Sequence, residues 1–367
     1  MKPVLVLALL GVTACASPEP QAEPQPQVAA GAEIVAEPAP APLPPAPPAP
    51  PPATRIAFGS CNDLRTPQVL WERIASIQPT AFVWLGDIIY ADTQDISSMR
   101  KLYDELKTLP AYAAMAAATR VIGTWDDHDY GGDDAGKEYP MRTESQKALL
   151  DFLDEPQDSS RRQQEGVYTS VDFGQDPYRV RVILLDTRYH RDHPGPAADI
   201  LGEQQWAWLR AQLQASTAAV HILASSIQVV PEQHGFEKWA RFPSARAKLL
   251  AMLEELAPRN LVIISGDRHF AELSRLELGH GKAPLYDVTS SSLSKPWTKA
   301  PQELNRHRVG DIVWEVNFGV IEIVWAAPTP VMHLQVHGRS GAVAIDAPVP
   351  LAPAMTSTAT LTESPPP

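Results

Sequence analysis

Five short apolar runs, at 55–58, 81–85, 120–124, 180–185 and 260–264, each lead straight into a cluster of polar residues of the kinds that bind metals. The clusters read Gly-Ser-Cys-Asn-Asp (59–63), Gly-Asp-Ile-Ile-Tyr-Ala-Asp (86–92), Trp-Asp-Asp-His-Asp (125–129), Asp-Thr-Arg (186–188) and Ser-Gly-Asp-Arg-His (265–269). A short apolar run closed by turn residues reads as a buried strand. Strands lying side by side would bring the five clusters to one edge of a sheet, where open α/β sheets place their sites. The pattern points to a metallohydrolase.

Helical periodicity fills much of the chain between the runs. Thr66 and Pro67 supply a capping residue and a first-turn proline, and Leu70, Ile74 and Ile77 keep helical spacing to Pro79. Residues 95–118 predict one or two helices broken near Pro110. Residues 203–216 predict an amphipathic helix built on Trp206, Leu209 and Leu213, and 243–256 another that stops before Pro258. Strands at 220–227 and 261–264 flank the last of these. This alternation predicts a largely parallel central sheet. After residue 284, strands at 285–288, 316–325 and 332–336 follow with few helices, which predicts an antiparallel second sheet or sheet edge.

Composition limits how much of the 367 residues folds. Residues 1–12 form a short apolar stretch behind Lys2, too short to span a bilayer and fitting a secretory signal. It runs into Val12-Thr13-Ala14-Cys15, which resembles a bacterial lipobox with Cys15 as the lipidated first residue of the mature protein. An ordinary signal peptide with an incidental cysteine is the alternative. Residues 16–53 hold 14 of the 37 prolines and almost no large apolar side chains. They are expected to stay disordered and polyproline-like, a stalk reaching on the order of 100 Å. The tail 348–367 is likewise expected to be disordered. That leaves 54–347 as one α/β domain with insertions. A formal net charge of −12 and the lack of a long basic run argue against a stable nucleic-acid partner. With Cys15 lipidated, Cys61 has no disulfide partner and is either a buried apolar residue or a ligand.

The clusters carry unequal chemistry. Asp87 is pinned on a turn, and Tyr90 three residues later can point at the same ion; a carboxylate with a phenolate suits a hard trivalent iron more than zinc. The plain alternative has Asp87 capping the turn and Tyr90 in the core. In the densest cluster Asp127 reads as a metal ligand, His128 as a general acid and Asp129 as the group orienting its imidazole; an acidic loop capping a helix is the alternative. Asp267 and His269, on either side of Arg268, can both address metal, unless Asp267 merely bonds a turn. Cys61, beside Asn62 and Asp63, reads as a thiolate ligand. Asp186-Thr187-Arg188 with His190, Arg191 and His193 offers cations for a phosphate, with a surface loop the equal alternative. Ser225, Ser226 and Gln228 are candidate polar contacts, and His221 is expected to point away.

Taken together, Gly-Asp-x-x-Tyr, Asp-Asp-His-Asp and Gly-Asp-x-His resemble the calcineurin-like metallophosphoesterase motifs. Tyr90 stands as in purple acid phosphatases, Asp127-His128 matches an Asn-His pair, Asp267 takes the place of a histidine, and Cys61 stands where an aspartate would. The full set, with Gly-Ser-Cys and Leu-Asp-Thr-Arg, resembles the PhoD-like (alkaline phosphatase D) family from about residue 55 to 295. The resemblance implies a four-layer α/β/β/α metallophosphatase-type sandwich and hydrolysis of small phosphate esters by a metal-bound hydroxide, with Fe3+ and Ca2+ as cofactors. It implies Asp87 bridging the ions, Cys61 and Tyr90 holding iron, Asp127 on the other metal, and Asp267 and His269 completing the set. His128 would protonate the leaving alkoxide, and Arg188, with Asn62 or Arg268, would hold the phosphoryl oxygens. Two features depart from the family. The proline stalk stands where longer members carry a β-sandwich. The histidine between the third and last motifs has no clear counterpart, and Ser226 or Gln228 occupies that region. The expected protein is a monomer, secreted across the inner membrane and lipid-anchored in the bacterial cell envelope, facing periplasm or exterior. The alternative is a non-catalytic envelope lipoprotein whose degenerate site binds metal or phosphate; such a module has no need of His128 between carboxylates.

Overall fold

The computed structural model describes residues 49–51, 53–279, 281–297, 303–326 and 329–352. The expected signal peptide, Cys15, most of the stalk and the tail from 353 lie outside the described residues. The elements run β1 (Thr54–Gly59), α1 (Trp71–Ser76), β2 (Ala81–Leu85), α2 (Ile96–Thr108), α3 (Pro110–Ala118), β3 (Arg120–Thr124), α4 (Asp127–Tyr130), α5 (Arg142–Phe152), β4 (Thr169–Phe173) and β5 (Val180–Leu184). They continue with α6 (Gly202–Ala215), β6 (Val220–Ser225), α7 (Pro243–Leu256), β7 (Leu261–Ser265), β8 (Ala271–Leu276), β9 (Leu285–Ser290), β10 (Arg308–Val313), β11 (Asn317–Val324), β12 (Val331–Gly338) and β13 (Val343–Pro350).

Two sheets form, ordered β13-β12-β11-β1-β2-β3 and β10-β8-β9-β7-β6-β5-β4. Alternation along the strands decides the layers, because successive side chains point to opposite faces. Ile56, Phe58, Val83 and Leu85 of the first sheet meet Val182, Leu184, Ile222, Ala224, Val262 and Ile264 of the second in one apolar interior. The intervening Ala57, Phe82 and Trp84 face outward onto Trp71, Met99, Leu106 and Leu149 of the helices over the first sheet. Ile183, Leu223 and Ile263 do the same under Trp206 and Leu209 of α6 and Leu249 and Leu253 of α7. This is the four-layer α/β/β/α sandwich.

The parallel strands are divided between the two sheets rather than gathered in one. β1, β2 and β3 run parallel in one sheet, and β5, β6, β7 and β9 run parallel in the other. The late strands are shared out, with β11–β13 antiparallel on the first sheet and β8 and β10 antiparallel on the second. The first helix begins at Trp71, not at Thr66. The Thr66 hydroxyl is instead bonded to the carbonyls of Asp63 and Ser294 (2.7 and 2.8 Å), which holds 63–66 as a turn. β13 runs through Pro350, past the boundary expected at 347.

The parallel strands put their polar C-terminal clusters along adjoining sheet edges, and two glycines let those edges close up. A Cβ on Gly266 would lie 2.6 Å from Ser60 Oγ and 3.0 Å from the carbonyl oxygens of Leu85 and Ser226, so ends of both sheets touch there. Gly86 has φ +88, and a Cβ would lie 2.3 Å from the Asp126 backbone nitrogen. Gly86→Ala therefore combines a left-handed φ with a clash against backbone and should cost roughly 3 kcal/mol in urea unfolding. A loss under about 1 kcal/mol would show that the β2–β3 edge is looser than this packing requires.

Candidate metal and phosphate site

The strand-end turns hold their donors in a costly backbone conformation. Of the ten non-glycine residues with positive φ among the described residues, six belong to the site: Cys61, Asp87, Asp92, Asp134, Asp267 and His269. Such conformations cost of order 1 kcal/mol or more each and persist only where the surroundings over-determine them. The loop after β1 is fixed by the Asn62 N–H donating to the Asp87 carbonyl at 2.8 Å. The Asn62 side-chain nitrogen donates to the Ile88 carbonyl at 3.1 Å. Asn62 is wholly buried and ties two loops together, so the expected phosphate contact is not made by its amide nitrogen.

These turns bring the predicted metal residues into one cluster. Cys61 Sγ lies 3.4 Å from Asp87 Oδ2. Tyr90 Oη donates to the same oxygen at 3.2 Å and lies 3.2 Å from His269 Nε2. Among the described residues, three sets of donor atoms could hold metal ions: Cys61, Asp87 and His269; Asp87, Asp127 and His128; and Asp126, Asp127 and Asp267. Asp87 is common to the first two and Asp127 to the last two. Asp87 Oδ1, Asp126 Oδ2 and Asp267 Oδ2 are buried with no hydrogen-bond partner in the protein. Orphaned buried carboxylate oxygens are what a cation site leaves in the protein itself, since such groups are otherwise paired. The donors therefore fit bound metal.

Burial sets the charge state of the cluster. It pushes the Asp87 carboxyl well above its ordinary range, with the nearby Asp127 adding to the effect. It raises the Cys61 thiol and the Tyr90 phenol, each further opposed by the Asp87 charge. Asp267 is pushed up to about 7 by burial, partly offset by Arg268. Burial lowers His269 to about 4, helped by Lys295. His128 goes the other way. Burial opposes its charge, but the hydrogen bond to Asp92 and the Asp87 and Asp127 carboxylates outweigh this and place it at about 10.

Two predicted roles change hands here. Asp129 does not orient His128. Its carboxylate accepts the backbone N–H groups of Asp126, Asp87 and Ile88 at 2.7, 3.3 and 3.2 Å, clamping the start of α4 to the turn after β2. The partner of His128 is Asp92, 2.7 Å from Nδ1, which leaves Nε2 as the nitrogen able to give a proton. Arg188 does not reach substrate. It is fully buried, with Nε 2.7 Å from Asp126 Oδ1 and a terminal nitrogen 2.5 Å from Glu237. Arg191 is buried against Glu237 as well. The Asp186 carboxylate bonds Trp125 Nε1 and the N–H groups of Val167, Arg188 and Tyr189, so the fourth cluster is a structural hub beneath the site. Ser226 donates to Asp126 Oδ1 at 2.6 Å, whereas Gln228 binds Glu272 and Thr289 away from the donors. His221 points away, bonded to Arg259 and Ser216.

Above the donors opens a cleft of about 760 Å³ bounded by Asp127, His128, Asp267, Arg268, His269 and Lys295, with Asp133, Asp134, Phe236 and Trp297 at its walls. Arg268 borders it, so its predicted phosphate contact is geometrically open, although Glu303 and Asp267 also share its charge. Lys295, which sequence reasoning missed, lies 3.3 Å from the Tyr90 ring centroid. No pattern marks Lys295 or Glu237, because each sits on a loop outside the strand-end clusters. Asp92 did carry a signal as the last acid of the Gly-Asp-Ile-Ile-Tyr-Ala-Asp stretch.

Comparison with known proteins agrees with this architecture. The model of the PhoD-like phosphatase family matches residues 56–314. Alkaline phosphatase D of Bacillus subtilis (strain 168) is 22% identical over 282 residues, covering 63% of this chain and 48% of that protein, so the chain spans about half the length of this relative. A solved structure of PhoD superposes with a TM-score of 0.65 at 19% identity, covering 83% of this chain and 73% of that one. GAP50, the anchor in the inner membrane complex of Plasmodium, superposes with a TM-score of 0.55 at 14% identity, covering 83% and 90%. At such identities these two structures share the fold. The family match spans well over half of the sequence and includes every strand-end cluster, and on that ground this chain belongs to the PhoD-like phosphatase family.

Proposed function

We propose that this chain is a metal-dependent phosphoric ester hydrolase of the alkaline phosphatase or phosphodiesterase type. The observation that carries the reading is the convergence of Cys61, Asp87, Tyr90 and His269 with Asp127 and Asp267 around buried carboxylate oxygens that accept no hydrogen bond from the protein. Bound ions at such a site activate water and neutralise charge on the phosphoryl oxygens. Thiolate, phenolate, carboxylate and imidazole together suit ferric iron, while the carboxylates of Asp126, Asp127 and Asp267 suit calcium. Asp87, which like Asp127 belongs to two of the donor groups, would be shared between the ions.

The remaining roles belong to the chain's own side chains. Asp92 fixes the His128 ring through Nδ1, so that Nε2 can protonate the leaving oxygen. Arg268 and Lys295 hold the phosphoryl oxygens, in place of Arg188. Arg188 instead keeps the Asp126 carboxylate in position from below. The reading places the domain in the bacterial cell envelope on a lipid anchor at Cys15, supported by the apolar leader and proline stalk of the sequence.

Spectroscopy and substitution test the metal assignment. Iron-loaded protein should show a visible charge-transfer band that is lost or shifted in Tyr90→Phe, and Asp87→Asn should abolish turnover while the protein stays folded. A colourless, iron-free and fully active protein would rule out iron.

Chelation should expose the charge cluster. A carboxyl whose pKa is higher folded than unfolded contributes stability below the unfolded value, and that contribution is lost as pH rises through the folded value. For Asp267, a metal donor, the window runs from 3.8 to about 7. Metal substitutes for the lost protons, so the Tm difference between metal-loaded and chelator-stripped protein should widen from about pH 5 to about pH 8. A difference that is flat or shrinks with pH would contradict the buried, under-neutralised carboxylates.

His128→Asn should lower kcat on an alkyl phosphate by about 10²–10³. On a nitrophenyl ester, whose leaving group needs no proton, the loss should be much smaller. Asp92→Asn should show the same leaving-group dependence in weaker form, whereas Asp129→Asn should act on stability. Equal losses on both esters would remove His128 as the acid.

A further inference from the structure

The cleft is larger than the phosphoryl chemistry requires. Its volume of about 760 Å³ suits a drug-sized ligand, whereas the metal donors Asp127, His128, Asp267 and His269 make up only part of its lining. Most of the lining is charged, but one wall is aromatic. Phe236 is 38% exposed, one of four large apolar side chains so exposed among the described residues. It is held in that exposed position. The Arg268 guanidinium lies 4.1 Å from its ring centroid, and Lys238 Nζ donates to its carbonyl at 3.0 Å. Trp297 continues the wall, its ring centroid 5.8 Å from that of Phe236 and 5.4 Å from that of His269. Trp297 Nε1 donates to the Arg268 carbonyl at 2.8 Å and its backbone N–H to the His269 carbonyl at 3.1 Å.

An apolar surface of two rings, inclined at 46° to one another, therefore extends from His269 along the cleft wall. Exposed apolar rings are unfavourable in water, and these are fixed in place by a guanidinium and by backbone hydrogen bonds rather than turned inward. The surface is only two rings in extent and is flanked by Asp133, Asp134 and Arg241 in the cleft lining. Those charges disfavour an acyl chain and leave room for one compact planar group. We propose, resting on the phosphoesterase reading above, that the site takes phosphate esters whose leaving group carries a planar aromatic ring, such as a nucleoside, stacked on Phe236 and Trp297.

Two monoesters with the same primary alkoxide leaving group isolate the effect: a nucleoside 5′-monophosphate and glycerol 3-phosphate. The metal-loaded wild-type protein should favour the nucleotide in kcat/KM. Phe236→Ala and Trp297→Ala should each lower the nucleotide-to-glycerol ratio roughly tenfold, mainly through KM, whereas Trp297→Phe should keep most of it. The ratio is read within one preparation, so a reduced folded fraction cancels. Turnover of both esters with no preference, or a ratio unchanged in both alanine variants, overturns the aromatic pocket alone. Turnover by the wild type of neither monoester, nor of their methyl phosphodiesters, overturns the phosphoesterase reading and this proposal with it.

Discussion

Everything at the site depends on burying more negative charge than the protein itself can neutralise. Asp87, Asp126, Asp127 and Asp129 are buried side by side, with Asp267 close by. Arg188 compensates from beneath, shared between Asp126 and Glu237. It is wholly buried, which is sustained because Ser226 holds Asp126, Arg191 holds Glu237, and Asp186 accepts the backbone N–H of Arg188 itself. That pairing uses the lower side of the cluster alone. On the other side the free oxygens of Asp87 and Asp126 have no hydrogen-bond partner in the protein, and that of Asp267 has only the Arg268 guanidinium at 3.6 Å. Isolated buried carboxylates either take up protons or take up cations. The raised pKa values describe the first outcome and a metal centre the second.

The backbone bears the cost of that arrangement. Parallel strands deliver their ends to one edge, but a strand end by itself points side chains along the sheet normal. Turning Cys61, Asp87, Asp267 and His269 towards a common point requires left-handed φ at each of them. The strain is sustained by the apolar interior between the sheets, which fixes the strands, and by Gly86 and Gly266, which let neighbouring ends approach. Asp129 contributes as a clamp on backbone rather than as chemistry. Its three N–H contacts join the turns after β2 and β3, so the donors of the two loops keep a fixed spacing.

Much of this was legible in the sequence, and the exceptions share a cause. Strand interiors announce themselves by apolar runs, so the five strand ends and the donors Cys61, Asp87, Tyr90, Asp127, Asp267 and His269 could be read directly. Which sheet each strand joined could not, because the interior face of either sheet has the same composition. β8 and β10 went unseen, since Glu272 and Arg308 interrupt their patterns and become an ion pair only once the strands are adjacent. The stretch Asp126-Asp127-His128-Asp129 misled for a geometric reason. On a helical turn, consecutive side chains diverge by about 100°. Asp126 thus meets Arg188 below, Asp127 joins the donors, His128 reaches Asp92, and Asp129 turns back onto the N–H groups. Adjacency in sequence suggested contact where the turn enforces separation.

The same reasoning explains why the cations facing the cleft come from late loops. An arginine beside the strand ends, such as Arg188, is drawn into the carboxylate cluster and neutralised there. A cation able to meet an incoming phosphate must be kept from that fate. Arg268 is restrained by Glu303 and by stacking under Phe236, and Lys295 by the Tyr90 ring and by Asp63. Each is tied on one side and borders the cleft on the other. On a chain with a formal net charge of −12, such local positive charge is what an anionic substrate can approach, because field lines concentrate in clefts of one sign. Asp133 and Asp134 in the same lining would repel a phosphate, which would favour approach by Arg268 and Lys295 under the proposed function. In the proposed reading the leaving group would then lie beside Phe236 and Trp297, so that the cations assigned to the phosphate and the rings assigned to its ester group line the same cleft.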